Sequence, residues 1–172
     1  MKHMVKLSSG ASVPALGQGT WYLGDSAETR AREIEALRAG IEAGMTLIDT
    51  AENYGDGRSE TLVSEAIRPY ERSSLFLVSK VIPSNAYGTR LMQSLDRSLS
   101  HLGTDYLDLY LYHWRGERPL AEMVAAMEEA RAAGKIRAWG VSNLDTVDME
   151  ELWRIPGGTN CAVNQVLYHM GS

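Results

Sequence analysis

Short apolar runs alternate along this chain with longer stretches in which apolar residues return every third or fourth position. The runs lie near 15–18 (ALGQ), 46–49 (TLID), 75–80 (LFLVSK), 106–112 (YLDLYLY), 136–142 (IRAWGVS) and 161–165 (CAVNQ), and they have the length and residue types of strands. The stretches between them, near 27–43, 58–68, 87–102, 120–133 and 145–152, carry the period of amphipathic helices. The pattern predicts a βαβα succession. Helix punctuation agrees with it. Gly44, Gly103 and Gly134 each follow the last periodic residue of a helix, where a left-handed cap is wanted. Asp145, with Asp148 three residues on, resembles a capping box. Ahead of the alternation, VKLSSGASVP (5–14) reads as two short extended pieces around Ser8-Ser9-Gly10, a hairpin able to cap one end of a larger body.

Parallel neighbours need crossover helices that also cover the sheet, so strict alternation predicts a parallel α/β sheet. The choice is between an open doubly wound sheet and a closed barrel. The first strand is followed by GQGTWYLG, Gly17 to Gly24, which does not fit the G-x-G-x-x-G turn of the doubly wound folds. Gly17 and Gly19 mark instead a close backbone approach, to a ligand or to a neighbouring strand. The expected fold is therefore a parallel (β/α)8 TIM-barrel type with an N-terminal β-hairpin. A full barrel takes roughly 250 residues. The 172 residues present correspond to a single domain with about six of the eight βα units.

Composition narrows the function classes. The chain is 44% hydrophobic and 23% charged, the balance of a globular protein with a real core. Its net charge is -5 and it has no run of basic residues, so no nucleic-acid or anionic-lipid partner is expected. Ser, Gly and Pro break up the N-terminus before an apolar leader can form, and no stretch nears the roughly 20 apolar residues of a membrane span. A cytoplasmic location is expected. Cys161 is the only cysteine, which excludes an internal disulfide and a cysteine-rich metal site. It is expected as a small buried apolar residue on a strand.

Polar residues close nearly every strand: Asp49 ends TLID, Lys80 ends LFLVSK, His113 follows YLDLYLY, Ser142-Asn143 end AWGVSN, and Gln165 ends AVNQ. Taken singly, each has an ordinary explanation as a solvated boundary residue or a cap. All of them are at carboxyl ends, however. In a parallel barrel those ends form one face, where barrel enzymes keep their active sites.

The segment LIDTAENYGDGRSE (47–60) resembles the aldo-keto reductase signature, an Asp-Thr-Ala-x-x-Tyr-Gly run. The likeness continues in SKV (79–81), LDLYLYHW (107–114), GKIRAWGVSN (134–143) and NQVLYH (164–169), in order and over essentially the whole chain. The resemblance implies NAD(P)H-dependent reduction of aldehydes or ketones, without a metal, by a tetrad of Tyr54, Lys80, Asp49 and His113. The residue types suit that chemistry. Hydride delivery to a carbonyl carbon leaves negative charge on oxygen, so the site needs an acid and hydrogen-bond donors. A tyrosine is a weak acid, and an ammonium about 4 Å away favours its anion by roughly 4 kcal/mol at an effective dielectric of about 20. The aspartate balances the ammonium, and His113 would orient the substrate oxygen.

The resemblance further implies NADPH as cofactor, lying extended across the barrel mouth. Ser142, Asn143 and Gln165 would hold the nicotinamide carboxamide, with Gly19 and Thr20 as additional cofactor contacts. Trp21, Tyr22 and Trp114 would wall the pocket for a small-molecule carbonyl substrate, rim packing being the alternative for Trp114. Relatives continue through two more βα units, including the basic loop that grips the adenosine 2′-phosphate. Without those units, the barrel edges are open to self-association, and a catalytically inactive or regulatory protein is the alternative function. A Schiff-base lyase with Lys80 as nucleophile needs a neutral amine, which a paired Asp49 opposes.

Overall fold

The computed structural model describes residues 3–171. Eight strands alternate with five helices: β1 (Met4–Lys6), β2 (Ser12–Pro14), β3 (Gln18–Gly19), α1 (Arg30–Glu42), β4 (Leu47–Asp49), α2 (Arg58–Ile67), β5 (Phe76–Val81), α3 (Gly88–Leu102), β6 (Leu107–Tyr112), α4 (Leu120–Ala132), β7 (Ile136–Ser142), α5 (Thr146–Arg154) and β8 (Asn164–Gln165). The first two strands form an antiparallel hairpin, and the other six form one parallel sheet in the order β3-β4-β5-β6-β7-β8. A doubly wound sheet reverses its strand order at a switch point, whereas this order runs straight through, as in a barrel. Successive helices pack side by side, α1 on α2 through to α4 on α5, and cover one face of the sheet.

Alternation along the strands sorts side chains between two apolar layers. Leu77, Tyr110, Tyr112, Trp139 and Val141 point to the helices, where they meet Leu62, Leu91, Leu95, Met123 and Met127 in the larger core. Val78, Leu109, Leu111, Ala138 and Ala162 form a second, smaller cluster on the opposite face. Strands buried on both faces read as unbroken apolar runs, which is why β5, β6 and β7 stand out in the sequence. Each large apolar side chain so buried stabilises the fold by about 1.5–3 kcal/mol.

The first and last barrel strands differ most from expectation. The first barrel strand is Gln18–Gly19 and not 15–18, and Leu16 is largely exposed. Gly17 approaches the neighbouring strand so closely that a Cβ there would lie 2.7 Å from Leu47 Cδ2. The Gln18 amide meanwhile turns outward and donates to the Leu37 and Met45 carbonyls at 3.1 and 3.0 Å. The last strand is also shorter than 161–165: Cys161 lies ahead of it, half-buried rather than buried, with its thiol pushed up to about 11 by burial. The caps follow the sequence more closely. Gly44, Gly103 and Gly134 have φ of +96°, +65° and +73°. Asp145 accepts a hydrogen bond from the Asp148 N–H at 2.9 Å. The reciprocal half of a capping box is replaced, since the Asp148 carboxylate accepts from Arg115 Nε at 3.2 Å.

The hairpin sits at the amino-terminal end of the parallel strands, where the Ser8 hydroxyl donates to the Ala162 carbonyl at 2.9 Å. Asp108 is nearly inaccessible at that end and takes Arg72 at 2.7 Å, Arg137 at 3.2 Å and the Leu77 N–H at 3.0 Å. No helix among the described residues is long and apolar enough to cross a membrane.

Candidate active site

The polar strand ends continue the apolar stripe of the helix-free face. Two-residue alternation carries Val78 to Lys80, Leu111 to His113, Gly140 to Ser142 and Val163 to Gln165, and Asp49 ends β4 beside Val78. All five surround one cavity of about 550 Å³ at the carboxyl ends of the strands, together with Tyr54, Asn143, Trp21 and Trp114. The sequence thus brings nine of its expected site residues to a single mouth.

Lys80 is the centre of this arrangement. Its side chain is 2% exposed, and its ammonium donates to Asp49 Oδ2 at 2.8 Å, to the Thr50 carbonyl at 3.0 Å and to the Tyr54 hydroxyl at 3.3 Å. Three donors meet three acceptors, which is what a buried ammonium requires. Asp49 is engaged on both oxygens, since Oδ1 accepts from Gln165 Nε2 at 3.3 Å. Tyr54 stands on a short 3-10 turn, Tyr54–Gly57, in the loop that follows β4. Its ring meets His113 edge-on, with centroids 5.7 Å apart and planes at 70°, and stacks on Trp21 at 6.3 Å.

His113 is 9% exposed, and its pKa falls to about 4, first because burial penalises the imidazolium and second because the Lys80 charge repels it. At neutral pH the ring is uncharged. Its Nδ1 is buried with no hydrogen-bond partner among the described residues. Beside it, Asn143 adopts a left-handed φ of +59°, a conformation asparagine tolerates. The turn aims the Asn143 amide at the His113 carbonyl (3.1 Å) and the Ser142 hydroxyl (3.0 Å), while Ser142 donates to the Gln165 carbonyl at 2.9 Å.

Three expected contacts lie outside the mouth. Thr20 is fully buried, and its hydroxyl donates to the Asp49 carbonyl at 3.1 Å while accepting from Ser59 at 2.8 Å, so it is closed to a ligand here. Gly19 does not line the cavity, and open space surrounds the position a Cβ would take there. Tyr22 is exposed at φ +68° and stacks against Trp21 at 4.7 Å, and it does not itself line the mouth. In the other direction, Asn53, Val166 and Leu167 line the cavity without having been assigned a role. The last two directly follow β8, so their position at a carboxyl end was the available signal.

A nicotinamide suits this donor set in part. Ser142, Asn143 and Gln165 offer hydroxyl and amide groups for a carboxamide next to His113, and the buried Nδ1 is an orphaned polar atom in the same wall. Phosphate groups find less. Among the described residues, Lys80 is the only Lys or Arg lining the cavity, and Asp49 already engages it.

Residues 15–171 match the model of the aldo/keto reductase family. Methylglyoxal reductase YeaE of Escherichia coli (strain K12) is 58% identical over 169 residues, covering 98% of this chain and 59% of that protein. Aldo-keto reductase YhdN of Bacillus subtilis (strain 168) is 36% identical, over 87% of this chain and 49% of its own length. Among solved structures, an aldo-keto reductase from Klebsiella pneumoniae in complex with NADPH superposes with a TM-score of 0.95 at 54% identity, covering all of this chain and 60% of that one. The chain thus spans between about half and three-fifths of the length of these relatives.

Proposed function

Since the chain belongs to the aldo/keto reductase family, we propose that its mouth is a site for NADPH-dependent reduction of aldehydes and ketones to alcohols. The observation that carries this reading is the placement of the Tyr54 hydroxyl 3.3 Å from an ammonium that Asp49 holds at 2.8 Å. Reduced nicotinamide, the cofactor present in the Klebsiella structure, would supply the hydride. Everything else falls to the chain. Tyr54 gives its hydroxyl proton to the carbonyl oxygen as negative charge builds there. Lys80 stabilises the phenolate left behind, and Asp49 keeps the ammonium in place. His113, uncharged at neutral pH, has one N–H to offer the same oxygen and fixes its direction.

Ser142, Asn143 and Gln165 are the groups assigned to the carboxamide of the ring. Asn143 donates to the Ser142 hydroxyl and Ser142 to the Gln165 backbone carbonyl, so a ligand amide would exchange polar partners there. Trp21 and Trp114 form the apolar wall against the substrate. Small 2-oxoaldehydes are the first substrates to consider, because the relative at 58% identity is a methylglyoxal reductase. Turnover through Schiff-base chemistry is disfavoured because the Lys80 nitrogen is already engaged by Asp49, the Thr50 carbonyl and the Tyr54 hydroxyl.

The test is a fluorescence titration of the purified chain with NADPH, followed by loss of nicotinamide absorbance on adding methylglyoxal. Binding together with carbonyl-dependent oxidation supports the proposal. Absence of both contradicts it for this chain.

A further inference from the structure

We propose that Glu52 is the positioning residue that sets the Tyr54 hydroxyl against Lys80, by clamping the Tyr54 turn onto β5. The inference rests on the reading of Tyr54 as proton donor and goes one step behind it. No regular element holds Tyr54. Its own N–H donates only locally, to the Ala51 carbonyl at 3.1 Å, and the three residues after it all have positive φ: Gly55 +58°, Asp56 +53° and Gly57 +84°. A turn so irregular is fixed by its attachments.

Glu52 supplies two of them, on either side of Val81. Its N–H donates to the Lys80 carbonyl at 3.1 Å, and its Oε1 accepts from the Ile82 N–H at 2.8 Å and from Asn85 Nδ2 at 3.1 Å. The strand that carries Lys80 is therefore bonded directly to the residue two positions before Tyr54. The carboxylate is 8% exposed, so these bonds compete little with water. Arg97 approaches the other oxygen only at 3.9 Å and is 60% exposed, which makes it a screened neighbour and not part of the clamp. What the position needs is an acceptor.

The clamp matters because the contact it protects has little slack. At 3.3 Å the Lys80–Tyr54 hydrogen bond is already long, and a shift of a few tenths of an ångström takes it out of range. Misplacement of a reacting group by about 1 Å costs roughly 100-fold in rate.

Three variants of the chain test this: Glu52→Leu, which keeps the volume and removes the acceptor; Glu52→Gln, which keeps an acceptor oxygen; and Asn85→Ala, which removes one donor and leaves the Ile82 contact. Steady-state kinetics with NADPH and methylglyoxal are read beside hydrogen exchange at the amides of residues 52–57 and 82. Glu52→Leu is expected to lower kcat about 30- to 100-fold with KM within about twofold, and to speed exchange at Ile82 and across the turn about tenfold or more while the helices stay protected. Glu52→Gln restores both readouts to within a few-fold, and Asn85→Ala falls between. Unchanged kcat in Glu52→Leu overturns the proposal. So does exchange that rises equally through the helices, which marks a general structural role, and so does failure of Gln to rescue. If Glu52→Leu does not fold, a kcat in Asn85→Ala equal to that of the parent overturns it as well. If the parent chain reduces nothing, the reading of the site fails, and the clamp still stands or falls on the exchange of Ile82 and the turn.

Discussion

Lys80 and Tyr54 meet at 3.3 Å although they come from different segments of the chain, one from the inner face of β5 and the other from the turn after β4. Neither helix nor strand geometry alone brings them together. The meeting depends on parallel pairing of β4 with β5, which sets Asp49 beside Val78 and one inward step short of Lys80.

Replacing Lys80 by Met keeps the volume and removes the ammonium. Carbonyl reduction is expected to fall about 100-fold or more, the scale of losing one preorganised donor at developing charge. NADPH affinity, followed by fluorescence, is expected to change little, because the groups assigned to the carboxamide are Ser142, Asn143 and Gln165.

His113 gives a pH prediction with a definite sign. Its folded pKa is about 4, against an ordinary value of 6.5, so between those values the unfolded chain binds the extra proton and the folded chain does not. The stability contribution is fully present above pH 6.5 and is lost as pH falls toward 4. The His113 ring resonances should accordingly show no titration between pH 5 and 8, and denaturation midpoints should drop over the interval from about 6.5 to 4. A ring that titrates near 6.5 contradicts the burial argument.

At the opposite end of the strands, Arg72→Leu removes one of two guanidinium partners from Asp108, a carboxylate only 4% exposed. Leaving a buried charge short of its partner costs on the order of 3 kcal/mol. The expected result in urea unfolding is a lower midpoint with an unchanged slope, while NADPH binding at the carboxyl ends of the strands persists.

The strands that were easiest to read, β5, β6 and β7, are those buried on both faces, where apolar runs have no polar interruptions. The two edge strands were misplaced because each has only two paired residues, and glutamine and glycine at Gln18–Gly19 carry little strand signal. Asp49, Lys80, His113, Ser142 and Gln165 were legible as a group because inner-face alternation and carboxyl-end position both follow from the βα pattern. Thr20 and Tyr22 were not. Whether a residue next to a strand end turns into the mouth or away from it depends on loop dihedrals, here a hydroxyl network with Ser59 at Thr20 and a left-handed backbone at Tyr22. Glu52 was invisible for a similar reason, since its partners Ile82 and Asn85 lie 30 and 33 residues away on another loop.

The most direct test of the central claim compares the parent chain with Tyr54→Phe, measuring NADPH oxidation with methylglyoxal and NADPH affinity on the same preparations. Removal of the hydroxyl alone is predicted to lower turnover by about 100- to 10,000-fold and to leave NADPH binding within about twofold of the parent. Equal turnover in the two proteins would contradict the assignment of Tyr54 as the proton donor.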